Sequence, residues 1–559
     1  MEGDVPGYVW GLVFCILAGI AICPNRLVPV VCGLEESTGP DGSNAQAVHA
    51  LGERGEGVSV GIISIYNVLA THEAFEDANG NSRVENIDVG AGFNFGNEHD
   101  TFVAGILASR GGIDHPNDIG AAPDANICSV KIDDFADIAN ALDILTGDEH
   151  KCRIIVSPIE TTSDPNGQSQ WTQLYDYYAY EHDIIFANAS GNTGTYITVF
   201  GDSYNGITTG GLILNDPNNQ YLYRRVGSTS NIGPTDDGRR KPDIVAPSEN
   251  QTVPTNSGDT DWTTVGNSNG WTSFAIPHTG GVAALLHGLA DDTTDANDNQ
   301  NEVIKAVIVN STFPNINDSS GNWTNPADPN NTWNPQRGYG RIDALRAYEL
   351  LDSNQITPDT NVTAQKGWAF DTIEPNGNPN DVHTYKIYAA KNQRIRVTLT
   401  WDRRIEWIDA WPPPYGKINY GELHPYLPAD LDLMVCEPNE ANVIFSQMLF
   451  GLDPNDNLEK CDLLLEETGN YIVRVVNKST TETVSYGLAF EILSQIPGDF
   501  EPVDYIVDYA DLAVLAQQWL MDDPGLEANL IGGDIVNFPD FAEFAGHWLE
   551  TDPVYYPTQ

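Results

Sequence analysis

The sequence of 559 residues predicts an α/β domain with a doubly wound parallel sheet, then an antiparallel β-sandwich, then a small module of two paired helices. Three observations carry this prediction. Apolar β-branched runs alternate with helical stretches up to about residue 352, short segments with period-two alternation follow, and a helical segment is repeated near the C-terminus. We place the parts at 40–352, 364–495 and 497–552, after a signal-like apolar segment at 1–32.

Strands of the α/β domain are predicted from apolar runs of the kind found in parallel sheets that carry helices on both faces. Five such runs are VSVGIIS (58–64), ANICSVKI (125–132), CRIIVS (152–157), DIIFANAS (183–190) and NGITTGGLIL (205–214). A polar stretch between Ser353 and Asn361 is interpreted as a linker, because the strand pattern changes after it.

Strands of the sandwich are shorter, and turns rich in Asn, Gly and Pro separate them. They are HTYKIYAA (383–390), RIRVTLTWD (394–402), ADLDLMV (429–435), NYIVRVV (470–476) and SYGLAFEI (485–492). An aromatic and proline-rich insertion from Trp407 to Tyr426 is interpreted as a capping loop, with carbohydrate binding as the alternative.

The paired helices are predicted from an internal repeat. DLAVLAQQWL (511–520) and DFAEFAGHWL (540–549) share one template, and each places its apolar residues on one helical face. Such helices bury their apolar faces against each other or against a partner.

Composition restricts the class of partner. Asp and Glu number 79 and Lys and Arg 27, for a net charge of −52, while hydrophobic residues make up 41% of the chain. That apolar fraction is enough to fill cores, so the acidic residues belong to the surface. A surface this negative repels phosphate backbones, which argues against nucleic acid as a partner.

The N-terminal apolar run from Tyr8 to Cys23 is 16 residues long, short for a bilayer span and suited to the core of a secretory signal. Glu2 and Asp4 precede it where a signal is normally positive, so an uncleaved anchor stays open. No other stretch is long and apolar enough to cross a membrane. We therefore expect a secreted or cell-surface protein.

The seven cysteines include no CxxC pair, which argues against a structural zinc site. Cys436 and Cys461 both fall in the predicted sandwich. They either form a disulfide in an oxidising compartment or are two buried thiols, and the sequence does not decide between these.

Four separated segments carry the chemical motifs. They are GEGVSVGIIS (55–64), HDTFVAGI (99–106), SGNTG (190–194) and WTSFAIPHTGGVAALL (271–286). In this order they resemble the first strand, the HGTHVAG helix, the oxyanion segment and the GTSMAxP nucleophile helix of the subtilisin-like serine peptidases, the subtilase family. The resemblance extends over about 300 residues and implies a subtilisin-like fold and a serine endopeptidase that acts on polypeptides.

Three residues of these motifs suit acyl transfer on chemical grounds. Ser273 and His99 each open a helix, where the macrodipole favours developing negative charge, and the Asn192 amide can donate to a tetrahedral oxyanion. Singly, each also fits a plain structural role as a helix cap or turn residue. Their joint appearance, in the family's order, favours a catalytic site.

The third triad member departs from the family. The resemblance places the family's Asp at the end of the first strand, where this chain has Ser64. Asp100 adjoins His99, but neighbouring side chains on a helix diverge, so we expect it to orient the imidazole poorly. By the general triad template, losing the carboxylate costs on the order of 10⁴ in turnover.

The predicted cleft is also altered. Trp271 stands where the family has Gly, directly before the Thr that precedes the nucleophile, and Pro158 removes an N–H donor from one substrate-pairing edge. We interpret the opposite edge as deleted, because VKIDD (130–134) runs straight into a helical stretch. We therefore expect a secreted peptidase scaffold with weak or lost activity. The alternative is a non-catalytic peptide-binding or scaffold protein, a pseudopeptidase.

The C-terminal parts resemble known accessories. The strands LTWD (399–402) and ADLDL (429–433) are similar to the pre-peptidase C-terminal domain, and the paired helices resemble a dockerin, which implies a cohesin-like docking partner. Dockerin loops bind calcium through alternating oxygen ligands. Weak calcium candidates are Asp499, Glu501, Asp504, Asp508 and Asp511. The second loop keeps fewer ligands and is expected to bind none, and no other cofactor is implied.

Overall fold

The computed structural model describes residues 33–494 and 509–547 with internal gaps. The gaps are 162–163, 217–218, 267–268, 323–331, 376–381, 409–421, 427–428, 440–441, 447–455, 480, 522–527, 529 and 531–534. The signal-like segment predicted at 1–32 lies outside the described residues. So do four of the five calcium candidates, Asp499, Glu501, Asp504 and Asp508, and the side chain of Asp511 is not described either.

A mostly parallel sheet forms the centre of the N-terminal part. Its strands run in the order β2-β3-β1-β4-β5-β6-β7, with β8 paired to β6, and only the β6–β7 pair is antiparallel. The strands are β1 (Ser59–Ser64), β2 (Val84–Ile87), β3 (Asn126–Lys131), β4 (Ile154–Ser157), β5 (Ile185–Ala189), β6 (Ile207–Asp216), β7 (Asn219–Val226) and β8 (Ile244–Pro247). The strand predictions and the α/β fold class are confirmed.

Helices cover both faces of this sheet, and its central strands β1, β4 and β5 are accordingly buried at almost every position. On β1, Ile62 packs in one buried cluster and the adjacent Ile63 in another. The helices of this part are α1 (Leu34–Thr38), α2 (Ala45–Leu51), α3 (His99–Ala108), α4 (Phe135–Thr146), α5 (Gln170–His182), α6 (Ile276–Asp292), α7 (Asn301–Asn310) and α8 (Ala344–Leu351). Helices α3 and α6 lie on the Ile62 face, and α4 and α5 lie on the other. A hairpin of β9 (Gln251–Pro254) and β10 (Trp262–Val265) packs against α3.

Two antiparallel sheets follow and enclose a second core. One has the order β11-β13-β20-β17-β18, in which only β11 and β13 pair in parallel, and the other has the order β12-β21-β14-β19. Their strands are β11 (Asn361–Val362), β12 (Lys366–Ile373), β13 (Val382–Ala389), β14 (Gln393–Trp401), β17 (Leu431–Cys436), β18 (Val443–Ser446), β19 (Leu458–Leu464), β20 (Gly469–Asn477) and β21 (Val484–Ser494). This arrangement fits the predicted sandwich.

Several details bear on the sequence predictions for this second part. Within the insertion at 407–426, the described residues include part of a hairpin of β15 (Ile405–Ile408) and β16 (Glu422–Pro425), and 409–421 lie outside them. Cys436 on β17 and Cys461 on β19 are buried thiols of different sheets, which settles their alternatives in favour of two thiols.

The four-stranded sheet is covered on its outer face by α7, which lies against β14 and β21. Polar bonds reinforce this contact. The Lys460 ammonium donates to the Val309 carbonyl oxygen over 2.6 Å, and the Arg396 guanidinium donates to the Asn310 carbonyl oxygen over 3.2 Å. Both cations therefore satisfy backbone carbonyls that the C-terminal end of α7 leaves without a helical partner.

The repeat near the C-terminus forms two helices, α9 (Tyr509–Gln518) and α10 (Phe538–Gly546). Leu515 and Phe544 lie in one small apolar cluster, so the two helices bury their apolar faces together. None of the helices in the described residues is long and apolar enough to cross a membrane.

Candidate active site

His99 is the first residue of α3, and the loop before the helix holds its backbone. The His99 N–H donates to the Asn97 side-chain oxygen over 2.8 Å. The imidazole is partly accessible, with 27% of the side chain exposed, and its ring lies 5.9 Å from the Phe274 ring, centroid to centroid. The helix start therefore presents His99 at a surface with an aromatic wall beside it.

A carboxylate lies on the outer nitrogen of the His99 ring. The distance between His99 Nδ1 and Asp100 Oδ1 is 2.8 Å, and Asp100 is fully buried. Asp100 also accepts two further hydrogen bonds, from the Ser64 hydroxyl at 2.7 Å and from the Tyr66 N–H at 2.8 Å. A buried carboxylate with three donors is well satisfied, as ionised groups inside proteins must be.

The prediction that Asp100 orients the imidazole poorly is therefore wrong. The divergence of adjacent side chains applies to a regular exposed helix, whereas here donors outside the helix set the carboxylate position. These donors are Ser64, the last residue of β1, and Tyr66, which follows it. Ser64 does occupy the strand end where the family has its Asp, but it holds a carboxylate instead of replacing one.

Ser273 lies in a short 3-10 turn, Thr272–Phe274, that precedes α6 by one residue. We expected Ser273 to open the long helix itself, but it lies in the turn directly before that helix. Ser273 is 8% exposed. The Phe274 ring packs against the rings of both His99 and Phe102, so the nucleophile segment and the start of α3 meet through this residue.

The amide of Asn192 is fixed by the residue before the serine. Its side-chain oxygen accepts from the Thr272 N–H over 2.8 Å and from the Thr272 hydroxyl over 3.1 Å. The same hydroxyl accepts from the Gly191 N–H over 3.3 Å. With its oxygen occupied in this way, the Asn192 amide presents its NH₂ group as a donor beside the Ser273 turn.

The edges of the cleft have the local structure that the sequence indicates. β4 ends at Ser157, and Pro158, which has no N–H, follows it directly. β3 ends at Lys131 and α4 begins at Phe135 behind an Asp134 capping box, so only three residues separate them. Trp271 is 48% exposed, with its ring 6.0 Å from that of Phe274. That it narrows the approach to Ser273 stays a prediction.

Among the described residues, no group of three or more His, Cys, Asp or Glu side chains is placed to hold a metal ion. The calcium candidates are not tested by this finding, because their side chains are not described.

Comparison with known proteins agrees with the motifs. The model of the subtilase family matches residues 48–340, more than half of the chain, and the chain belongs to this family.

Solved structures that match part of this chain include two proteases and a macrocyclase. The prenylagaramide maturation protease PagA is 19% identical over 55% of this chain and 98% of that chain, with a TM-score of 0.41. The CspB protease of Clostridium perfringens is 17% identical over 57% of this chain and 100% of that chain, with a TM-score of 0.45. The PatG macrocyclase, solved in complex with peptide, is 14% identical over 56% of this chain and 97% of that chain, with a TM-score of 0.43.

Sequence reasoning missed two parts of this site. It dismissed Asp100. The hydroxyl of Ser64 at the strand end, together with a carboxylate next to His99, could have indicated that Asp100 takes the place of the family's Asp. It also did not assign a role to Thr272, because a contact between that residue and Asn192 depends on the fold.

Proposed function

We propose that the chain is a serine endopeptidase whose triad consists of Ser273, His99 and Asp100. The observation that carries this proposal is the 2.8 Å contact between His99 Nδ1 and the buried Asp100 carboxylate. An ionised carboxylate accepts only, so the Nδ1 atom carries the proton and the Nε2 atom is left as the base. This tautomer is the one that a general base needs.

The reaction follows from these groups. His99 Nε2 takes the proton of the Ser273 hydroxyl as its oxygen attacks the carbonyl carbon of a peptide bond, and Asp100 stabilises the imidazolium that forms. The Asn192 NH₂ group and the Ser273 N–H donate to the oxyanion. His99 then returns the proton to the leaving amine, and water releases the acyl group by the same path.

This proposal replaces the expectation of weak or lost activity. That expectation required an imidazole with no anion on its outer nitrogen, and Asp100 supplies the anion. The loss of about 10⁴ in turnover that follows removal of a triad carboxylate is therefore not expected here.

The test uses the full chain, a panel of fluorogenic peptides and a fluorophosphonate probe that labels activated serines. We expect turnover of about 1 s⁻¹ or more and labelling, with both abolished in Ser273→Ala. Asp100→Asn should lower kcat by about 10³ to 10⁴, because the amide favours the wrong tautomer. Asp114→Asn, at an exposed position, is the matched control. Turnover that survives in Ser273→Ala would refute the proposal.

A second candidate is a pseudopeptidase that holds a peptide without cleaving it. Three features of the cleft favour it, namely Trp271, Pro158 and the short connection between β3 and α4. Peptide binding to the wild-type chain with neither turnover nor probe labelling would support this candidate over the first.

The remaining parts of the proposal concern location and anchoring. The apolar segment at 1–32 supports a secreted or cell-surface protein. The packed helices α9 and α10 support a dockerin-like module that docks on a cohesin-like partner. Weak calcium binding through its first loop remains part of this proposal.

A further inference from the structure

Ser64 and Asp100 both depart from the family pattern. The strand end carries a hydroxyl where the family has a carboxylate, and the helix carries a carboxylate beside the histidine. The Ser64 hydroxyl oxygen lies 2.7 Å from Asp100 Oδ1, and the two residues are 1% and 0% exposed. Because an ionised carboxylate cannot donate, Ser64 is the donor of this bond.

The Ser64 hydroxyl donates to the same Asp100 oxygen atom that contacts the His99 imidazole. Asp100 Oδ1 receives both the Ser64 hydroxyl and His99 Nδ1, while Oδ2 receives the Tyr66 N–H. Successive residues of an α-helix point about 100° apart, so α3 alone does not aim the carboxylate at the ring. The Ser64 hydroxyl and the Tyr66 N–H, at and just after the end of β1, fix the direction in which the carboxylate points.

We propose that Ser64 is a positioning residue, whose hydroxyl holds the Asp100 carboxylate on His99. This role rests on the proposed function. Without the hydroxyl, Asp100 keeps the single Tyr66 N–H on its other oxygen and can turn about its side-chain bonds. A carboxylate that turns away leaves the imidazole in a mixture of tautomers and orientations, and catalysis is sensitive to displacements of about 1 Å.

Restoring the family residue should therefore harm the site. Ser64→Asp would place a second carboxylate against Asp100 in a buried position. Two carboxylates this close do not both ionise freely, and the added negative charge favours the imidazolium form of His99. The acid limb of the pH profile of kcat/KM should move to higher pH, with less activity at neutral pH than in the wild type.

The kinetic test compares Ser64→Ala, Ser64→Thr and Ser64→Asp in the full chain. We expect Ser64→Ala to lower kcat about 10- to 100-fold with KM unchanged, and Ser64→Thr, which keeps the hydroxyl, to recover most of the loss. Melting temperatures identify any variant whose fold is damaged. Wild-type kcat in Ser64→Ala, or higher activity in Ser64→Asp, would overturn the proposal.

A second measurement does not depend on turnover. In the Ser273→Ala background, the Nδ1 proton of His99 should give a downfield proton resonance that disappears in Asp100→Asn. Adding Ser64→Ala should broaden this resonance through faster exchange, and adding Ser64→Thr should retain it. If the wild type shows no turnover, the proposed function fails and this series still decides the role of Ser64. A resonance unchanged by Ser64→Ala would refute that role.

Discussion

The orientation of the Asn192 amide, the proposed oxyanion donor, is fixed by the neighbouring residue Thr272. The Thr272 N–H and hydroxyl both bond the Asn192 side-chain oxygen, at 2.8 and 3.1 Å, and so leave the NH₂ end of the amide to donate to the oxyanion. An amide free to flip would present its oxygen to the oxyanion for part of the time, which repels the developing charge. Thr272 therefore contributes to catalysis through Asn192.

Substitutions at these two positions should act on kcat. Asn192→Ala removes the donor and should lower kcat by about 10² to 10³ with little change in KM. Thr272→Val keeps the shape and one of the two bonds, so we expect a smaller loss, of about tenfold. Thr372→Val, on the exposed face of β12, is the matched control. A rise in KM with kcat unchanged would show that these residues bind substrate instead.

At this scale the sequence located the chemistry but not all of its contacts. Ser273, His99 and Asn192 were found because each lies within a local motif of several residues. Asp100 was rejected by a rule for isolated helices, and its true position depends on Ser64, which is 36 residues away in the chain. Contacts of that kind follow from how β1 and α3 pack, which local pattern does not reveal.

Among the elements, α6 carries two histidines inside the core. His278 and His287 are 0% and 3% exposed, and burial lowers the pKa of each to about 3. Both are therefore neutral in the folded protein at ordinary pH. In the unfolded chain they titrate near 6.5, so as pH falls below that value the unfolded state binds protons first.

This difference predicts acid sensitivity. Each histidine should remove up to about 1.4 kcal/mol from the free energy of unfolding for every pH unit between about 6.5 and 3. Urea unfolding at pH 7, 6 and 5 should show a shallower loss in His287→Gln than in the wild type. His182→Gln, at an exposed position on α5, is the comparison variant. An identical slope in His287→Gln and wild type would contradict the argument, whatever the absolute stabilities.

Element prediction succeeded where one physical signal dominated. The central strands were recognisable because they are buried on both faces and so read as unbroken apolar runs. The sequence of α7 is also typical of an apolar helix, but the side chains that contact its C-terminal end could not be predicted. The Lys460 and Arg396 side chains that bond its last carbonyls come from strands about 90 to 150 residues later.

On the scale of the whole molecule, the subtilase part and the four-stranded sheet share one buried interface. Arg346 of α8 pairs with Glu491 of β21 at 2.5 Å, and both side chains are about nine-tenths buried. The Arg403 backbone N–H, just after β14, donates to the Asn205 side-chain oxygen over 2.7 Å, which ties this sheet to the loop before β6. These buried bonds make the sandwich a structural part of the fold, so removing it would expose the apolar and polar surface that α7 now buries.

A substitution at Gly487 of β21 tests how closely α7 packs against this sheet. A Cβ added there would lie 2.3 Å from the Glu302 carbonyl oxygen, a backbone atom that cannot move aside without shifting α7. We expect Gly487→Ala to lower the free energy of unfolding by about 1 to 3 kcal/mol, the usual cost of overpacking a core. Gly546→Ala is the control, because a Cβ there meets nothing within 4 Å. Thermal unfolding of the full chain measures both, and a Gly487→Ala variant as stable as wild type would show that α7 and β21 are not tightly packed in solution.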